Sequence, residues 1–206
     1  MAPSDNINPA TFDTAGSVPS GPSVRSGMGF GMRRIAVVAS ASGNGKTTLG
    51  RELARRLDVP FVELDALVHG PGWAETPDDQ LRAEVEPIVA SRCWVIDGTY
   101  QRKLGDLVLR EADVVVWLDL PIRVWLPRLT RRTMQRISRR ETLWNDNRET
   151  LANAVWGRDS LFGWAFRTHF SRRRAWPLEL APYPVVRLTT PADVEAFVAR
   201  AVSSAT

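Results

Sequence analysis

The stretch from Arg33 to Arg56 constrains this chain more than any other. Ile35-Ala36-Val37-Val38-Ala39 is apolar, rich in β-branched residues and free of polar alternation, the pattern of a strand buried on both faces of a parallel sheet. It runs directly into Ser40-Ala41-Ser42-Gly43-Asn44-Gly45-Lys46-Thr47. Beyond this turn Leu49, Leu53, Arg56 and Leu57 recur at helical spacing, so a helix opens close to Lys46.

A strand, a glycine-bearing turn and a helix in this order match the phosphate-cradling pattern G-x-x-x-x-G-K-[ST], with Ser40 where the first glycine stands. Glycines at 43 and 45 let backbone N–H groups turn inward around phosphate oxygens, where a side chain would block approach. The helix N-terminus adds unpaired N–H groups and a partial positive charge. Ser42, Gly43, Asn44, Gly45, Lys46, Thr47 and Thr48 therefore form the expected nucleotide cradle. Lys46 reaches the β- and γ-phosphates of ATP, and the Thr47 hydroxyl is placed to ligate Mg²⁺. Ser40 is strained there if its position demands a positive φ.

At 206 residues the chain is one domain with a sizeable core. Its single cysteine, Cys93, lies in an apolar run and reads as a buried, inert thiol, which excludes an internal disulfide and fits a reducing cytoplasm. No apolar run reaches the roughly 18 residues of a membrane span, and no basic-then-apolar leader opens the chain. Residues 1–31, rich in Ser, Pro, Gly and Asn, read as a disordered tail before a domain over 32–206. Only Lys46 and Lys103 among the 27 basic residues are lysines. Between Arg123 and Arg174 lie thirteen arginines against Glu141, Asp146, Glu149 and Asp159, a block that implies phosphate, as a nucleotide-clamping lid or as a nucleic-acid surface.

Further along, Phe61 to Leu64 reads as a short second strand ending at Asp65, whose carboxylate is expected on the γ-phosphate side of the crevice. Thr76 and Pro77 open a helix running to about Ser91, with Thr76 as its cap. Cys93 to Asp97 is a third strand ending in a carboxylate, with Gly98 after it, so Asp97 is the metal-binding choice. Ala112 to Leu118 is the fourth strand; Asp119 is a rival metal ligand but reads as a helix cap before Pro121. A basic helix follows from Ile122, with Arg128 and Arg132 on one face. A helix through Trp164 to Arg174, a fifth strand over Tyr183–Leu188 and a closing helix over Ala192–Val202 complete the alternation of a parallel α/β sheet. His69 and His169 read as surface or loop histidines, Trp94, Trp117 and Trp125 as core, Trp73 as a ring able to stack on a base, and Arg172-Arg173-Arg174 as a solvated helix end.

Four segments carry a resemblance: G-N-G-K-T-T, L-D-A-L…G-P-G-W, W-V-I-D-G-T-Y and D-V-V-V-W-L-D-L-P, with R-D-S-L-F-G-W-A-F-R-T-H after them. From about Met32 to the C-terminus the chain resembles the adenylate-kinase-like P-loop proteins known as topology-modulation or flagellar-regulation-related proteins. The resemblance implies an α/β P-loop NTPase fold, nucleoside or nucleotide kinase-like, with a five-stranded parallel sheet of order 2-3-1-4-5 and an arginine-rich helical lid over about 128–175. Arg128 and Arg132 match the lid-base arginines of nucleoside monophosphate kinases. Asp97 and Gly98 match the D-G of their D-G-x-P-R segment, but Thr99-Tyr100-Gln101 departs from it and weakens AMP as acceptor.

Three functions remain: an ATP- and Mg²⁺-dependent kinase acting on a small molecule or nucleotide, a nucleotide-driven switch with weak NTPase activity, and a nucleic-acid binder regulated by nucleotide. The kinase is favoured, because the arginines interleave with apolar positions as in a lid. Its catalytic set is Lys46, Asp65, Asp97, Arg128 and Arg132, with Thr47 and Asp97 on the metal and Asp65 orienting or deprotonating the acceptor hydroxyl. The expected protein is a cytoplasmic monomer or homodimer.

Overall fold

The computed structural model describes residues 32–138 and 160–203. Strands β1 (Arg34–Ala39), β2 (Phe61–Glu63), β3 (Trp94–Asp97), β4 (Val114–Leu118) and β5 (Val185–Leu188) form one sheet in the order β2-β3-β1-β4-β5. Every neighbouring pair is parallel. The helices are α1 (Lys46–Leu57), α2 (Leu64–Val68), α3 (Asp78–Val89), α4 (Gln101–Leu104), α5 (Leu107–Glu111), α6 (Ile122–Ser138), α7 (Leu161–Glu179) and α8 (Pro191–Ser203), with a 3-10 turn at Pro71–Trp73.

The unbroken apolar run of β1 follows from its central place. Ile35, Val37 and Ala39 pack with Leu49 and Leu53 of α1 and Phe197 and Ala201 of α8. Ala36 and Val38 turn to the other face, against Leu64, Leu81, Val85 and Trp94. Each large aliphatic side chain buried this way contributes about 1.5–3 kcal/mol. A third cluster of Ala41, Trp125, Leu129 and Ala165, joined by Phe162 and Phe166, seats α6 and α7 against the loop after β1. Trp94, Trp117 and Trp125 are buried, as expected.

Several boundaries move. β2 ends at Glu63, and Asp65 lies in the short helix α2 rather than at a strand end. Thr76 is not the cap of α3: Pro77, in an extended conformation, precedes the helix, and the Thr76 hydroxyl instead donates to Leu67 O at 2.6 Å. α7 continues to Glu179, so Arg172, Arg173 and Arg174 sit inside a helix and not at its solvated end. The expected tail over 1–31 and the part of the expected lid over 139–159 lie outside the described residues.

Candidate active site

The loop between β1 and α1 is shaped by two glycines with positive φ, +83° at Gly43 and +92° at Gly45. A Cβ at Gly43 would lie 2.6 Å from Trp125 O and 2.9 Å from Leu129 Cβ, so both conformation and space demand glycine there. Gly45 also precedes α1 without a side-chain cap, which leaves the N–H groups of the first turn available to an anion. The buried Asn44 side chain is spent on the loop itself. Its Nδ2 donates to Ala41 O at 2.9 Å, and its Oδ1 accepts from Leu120 N at 3.0 Å. Lys46 and Thr47 are half-buried, as are Ser42, Gly43 and Gly45, while Thr48 is exposed.

Ser40 escapes the strain a positive φ would impose, since the described non-glycine residues with positive φ are Asp58, Trp73 and Tyr100. Its fully buried hydroxyl donates to Asp119 Oδ1 at 2.7 Å and accepts from Trp117 Nε1 at 2.9 Å. Asp119 is therefore no helix cap. Buried at the end of β4, it also takes Arg187 Nε at 3.0 Å and pairs with Arg173 Nε at 3.3 Å.

Thr47 meets two carboxylates. Its Oγ1 donates to Asp97 Oδ2 at 2.5 Å and lies 3.3 Å from Glu63 Oε1, while Lys46 Nζ pairs with Asp97 Oδ1. Parallel pairing sets Glu63 beside Asp97, each closing its strand. Burial first, then the negative charge of Asp97, pushes the Glu63 carboxyl up, against the pull of Arg51, whose Nη2 lies 3.1 Å from Glu63 Oε2. A hydroxyl and two carboxylates form a hard-oxygen donor set with excess negative charge, which fits Mg²⁺. Thr47, Asp97 and Glu63 would hold the ion, which would shield phosphate charge. Glu63 is absent from the sequence-derived set; its signal is that β2 and β3 both end in an acid.

The second expected carboxylate, Asp65, lies on α2 and accepts the Tyr100 hydroxyl at 2.6 Å on Oδ1. His69 Nε2 approaches the same hydroxyl at 3.3 Å, and the His69 ring meets Trp73 edge-on at 5.5 Å. Trp73 is 39% exposed. Burial and the charge of Asp65 raise the Tyr100 phenol far above its ordinary range, so it stays a donor. Arg172 comes from α7 to the end of β1: its Nη1 donates to Ala39 O at 2.9 Å, and its guanidinium lies 5.4 Å and 5.0 Å from the Trp164 and Trp176 rings. Burial lowers its proton affinity, against the opposing pull of the Asp65 carboxylate.

Lys46, Thr47 and Asp97 are thus brought together, and Asp65 is joined to them through the Gly98-Thr99-Tyr100 turn, with φ +99° at Gly98. Arg128 is not: it is exposed on α6 and, among the described residues, makes no hydrogen bond or ion pair. Arg132 lies half-buried one turn later on the same helix. His169 is a core residue and not a surface one, packed against Trp125 and Phe170 with Arg173 Nη1 3.4 Å from its Nε2. Sequence periodicity gave no sign of Tyr100 as the partner of Asp65, or of Arg172 and His169 as inward-facing residues, because all three depend on which element covers which strand end.

The all-parallel order, the phosphate loop and the paired strand-end acids decide the architecture. The fold is that of the P-loop kinases. A family model described as shikimate kinase matches residues 42–71, which hold the loop, Lys46, Thr47, Glu63 and Asp65. Shikimate kinase from Acinetobacter baumannii aligns with TM-score 0.52 at 16% identity, over 82% of this chain and 90% of that one. Shikimate kinase from Bacteroides thetaiotaomicron aligns with TM-score 0.50 at 19% identity, over 82% and 96%. A gluconokinase from Sinorhizobium meliloti aligns with TM-score 0.47 at 22% identity, over 84% and 91%. No curated protein matches the chain significantly. Among the described residues no helix is long and apolar enough to cross a membrane.

Proposed function

We propose that this P-loop kinase-like protein transfers the γ-phosphoryl group of ATP to a hydroxyl of a small-molecule acceptor in the cytoplasm. The observation that carries the reading is the union of two sites. The loop, Lys46 and Thr47 meet Asp97 and Glu63 at the ends of β3 and β2, and one turn away Asp65 is held by Tyr100. Lys46 and the loop N–H groups hold the phosphates, Thr47 and the two acids hold Mg²⁺, and Asp65 orients or deprotonates the acceptor hydroxyl. Arg172, rather than Arg128, is the cation of the arginine block that reaches the end of β1, where the phosphate loop begins. Arg128 and Arg132 remain proposed lid-base residues.

The neighbouring shikimate kinases support a small hydroxyl-bearing acceptor, and the motifs of the chain support a place in the topology-modulation group. The nucleic-acid reading loses ground because Arg172 and Arg173 of the basic block point into the fold, at Ala39 and Asp119. The test is ADP release with Mg²⁺ and ATP over a panel of hydroxy acids, polyols and nucleoside monophosphates. The reading expects acceptor-dependent release that Asp97→Asn abolishes and Asp65→Asn reduces without weakening ATP binding. Release unaffected by any acceptor would leave an NTPase and overturn it.

A further inference from the structure

Glu63 closes β2, and helix α1 reaches both oxygens of its carboxylate. Oε1 accepts from the Thr47 hydroxyl at 3.3 Å, and Oε2 accepts from Arg51 Nη2 at 3.1 Å. Thr47 and Arg51 are four residues apart on α1, so both side chains leave the same face of the helix. The guanidinium has a seat of its own. Phe61 stands two residues before Glu63 and on the same side of β2, and Arg51 Cζ lies 5.7 Å from the centroid of its ring. That ring lies so close to α1 that a Cβ at Gly50 would stand 2.6 Å from Phe61 Cε2. Glycine inside a helix weakens it, and here it makes the room that the ring needs. Gly50, Phe61 and Arg51 thus form a stack that ends on Glu63.

The Arg51 side chain is 66% exposed and that of Glu63 is 13% exposed, and an ion pair with one partner in water contributes little to stability. Its use lies elsewhere. We propose that Arg51 is a positioning residue for the divalent cation: seated on Phe61, it holds Glu63 Oε2 and keeps Oε1 turned toward Thr47. The inference rests on the metal role given to Glu63 and deepens it. Arg51 acts on a cation at Oε1 in two opposite ways, since its charge repels the ion while its grip on Glu63 orders a ligand for it. The charge faces water and is screened. The order is kept, because a Glu63 side chain left loose loses its freedom again each time it binds an ion. Orientation therefore outweighs repulsion.

The test uses the full chain saturated with a non-hydrolysable ATP analogue, with Mn²⁺ as the probe ion and its binding followed by loss of the free-ion electron paramagnetic resonance signal. Arg51→Met should weaken Mn²⁺ binding by about tenfold, the lower end of the range for losing a residue that orients a metal ligand. Its affinity for the analogue without metal and its urea midpoint should stay close to wild type. Arg51→Lys keeps the charge but not the planar group seated on Phe61. It should fall between the two proteins, and it carries the test if Arg51→Met does not fold. With Glu63→Gln already in place, adding Arg51→Met should weaken Mn²⁺ binding no further, because the two residues act through one carboxylate. Unchanged or tighter Mn²⁺ binding in folded Arg51→Met overturns the inference, as does a further loss on top of Glu63→Gln. If Glu63→Gln alone binds Mn²⁺ as the wild type does, Glu63 is no metal ligand, and that part of the proposed function falls together with this inference.

Discussion

Ser40 Oγ donates to Asp119 Oδ1 across 2.7 Å at the point where β1 becomes the phosphate loop. The bond ties the first loop position to the end of β4, and Trp117 Nε1 completes the hydroxyl from the same strand at 2.9 Å. Ser40→Gly restores the loop motif but removes this link and leaves a buried indole N–H unpaired. It should destabilise the protein by about 1–3 kcal/mol, read as a lower urea midpoint. ATP affinity should change little, because the hydroxyl is turned into the core. A variant with unchanged stability would show that the link is idle.

Gly43 and Gly45 should separate two demands that glycine meets. Gly45→Ala faces an unfavourable φ but open space, and should cost about 1 kcal/mol. Gly43→Ala faces the same φ and Trp125 O at 2.6 Å, so α6 must move away from the loop. Its denaturation midpoint should fall by at least twice as much, with loss of ATP binding. Equal midpoints would mean that α6 yields freely.

Lys46→Ala should do more than end turnover. Asp97 is buried and has Lys46 as its cation, so the variant leaves an uncompensated carboxylate in the ligand-free protein. The expected loss is about 2 kcal/mol, below the range for a fully buried pair because Lys46 is itself partly exposed. Adding Asp97→Asn should recover most of it in thermal unfolding. A double variant no more stable than Lys46→Ala would refute the coupling.

His169 gives the fold a pH dependence of known sign. Its burial, aided by the charge of Arg173 and opposed by that of Asp119, lowers its proton affinity below the ordinary histidine value of 6.5. The neutral form is favoured when folded, so its contribution is present above about pH 6.5 and declines as the pH falls below that value. Urea midpoints at pH 7.5 and 5.5 should differ more in wild type than in His169→Gln. An identical difference in both proteins would clear His169 of the effect.

The sequence exposed the parts of this molecule whose rules are local. β1, the two glycines, Lys46 and the start of α1 are written in one continuous stretch, and Asp97 is marked by an apolar run that ends in an acid. What stayed hidden depends on register and on layers. Glu63 matters because parallel pairing sets it beside Asp97, and Ser40 because β4 delivers Asp119 to it. Arg172 and His169 looked like solvated polar residues since α7 has no clear apolar stripe, yet their surroundings are Trp164, Trp176 and Trp125. Thr76 stands one residue before the position that caps α3, enough to change a cap into a tether.

Arg172 and Arg173 are consecutive in α7, yet one grips Ala39 at the end of β1 and the other Asp119 just past the end of β4. A rod pinned at one point can swivel; a rod pinned at two cannot. These two residues therefore fix the roll of α7 about its own axis as well as its distance from the sheet. Any force applied along the earlier turns of that helix is delivered as torque to the strand end from which the phosphate loop departs.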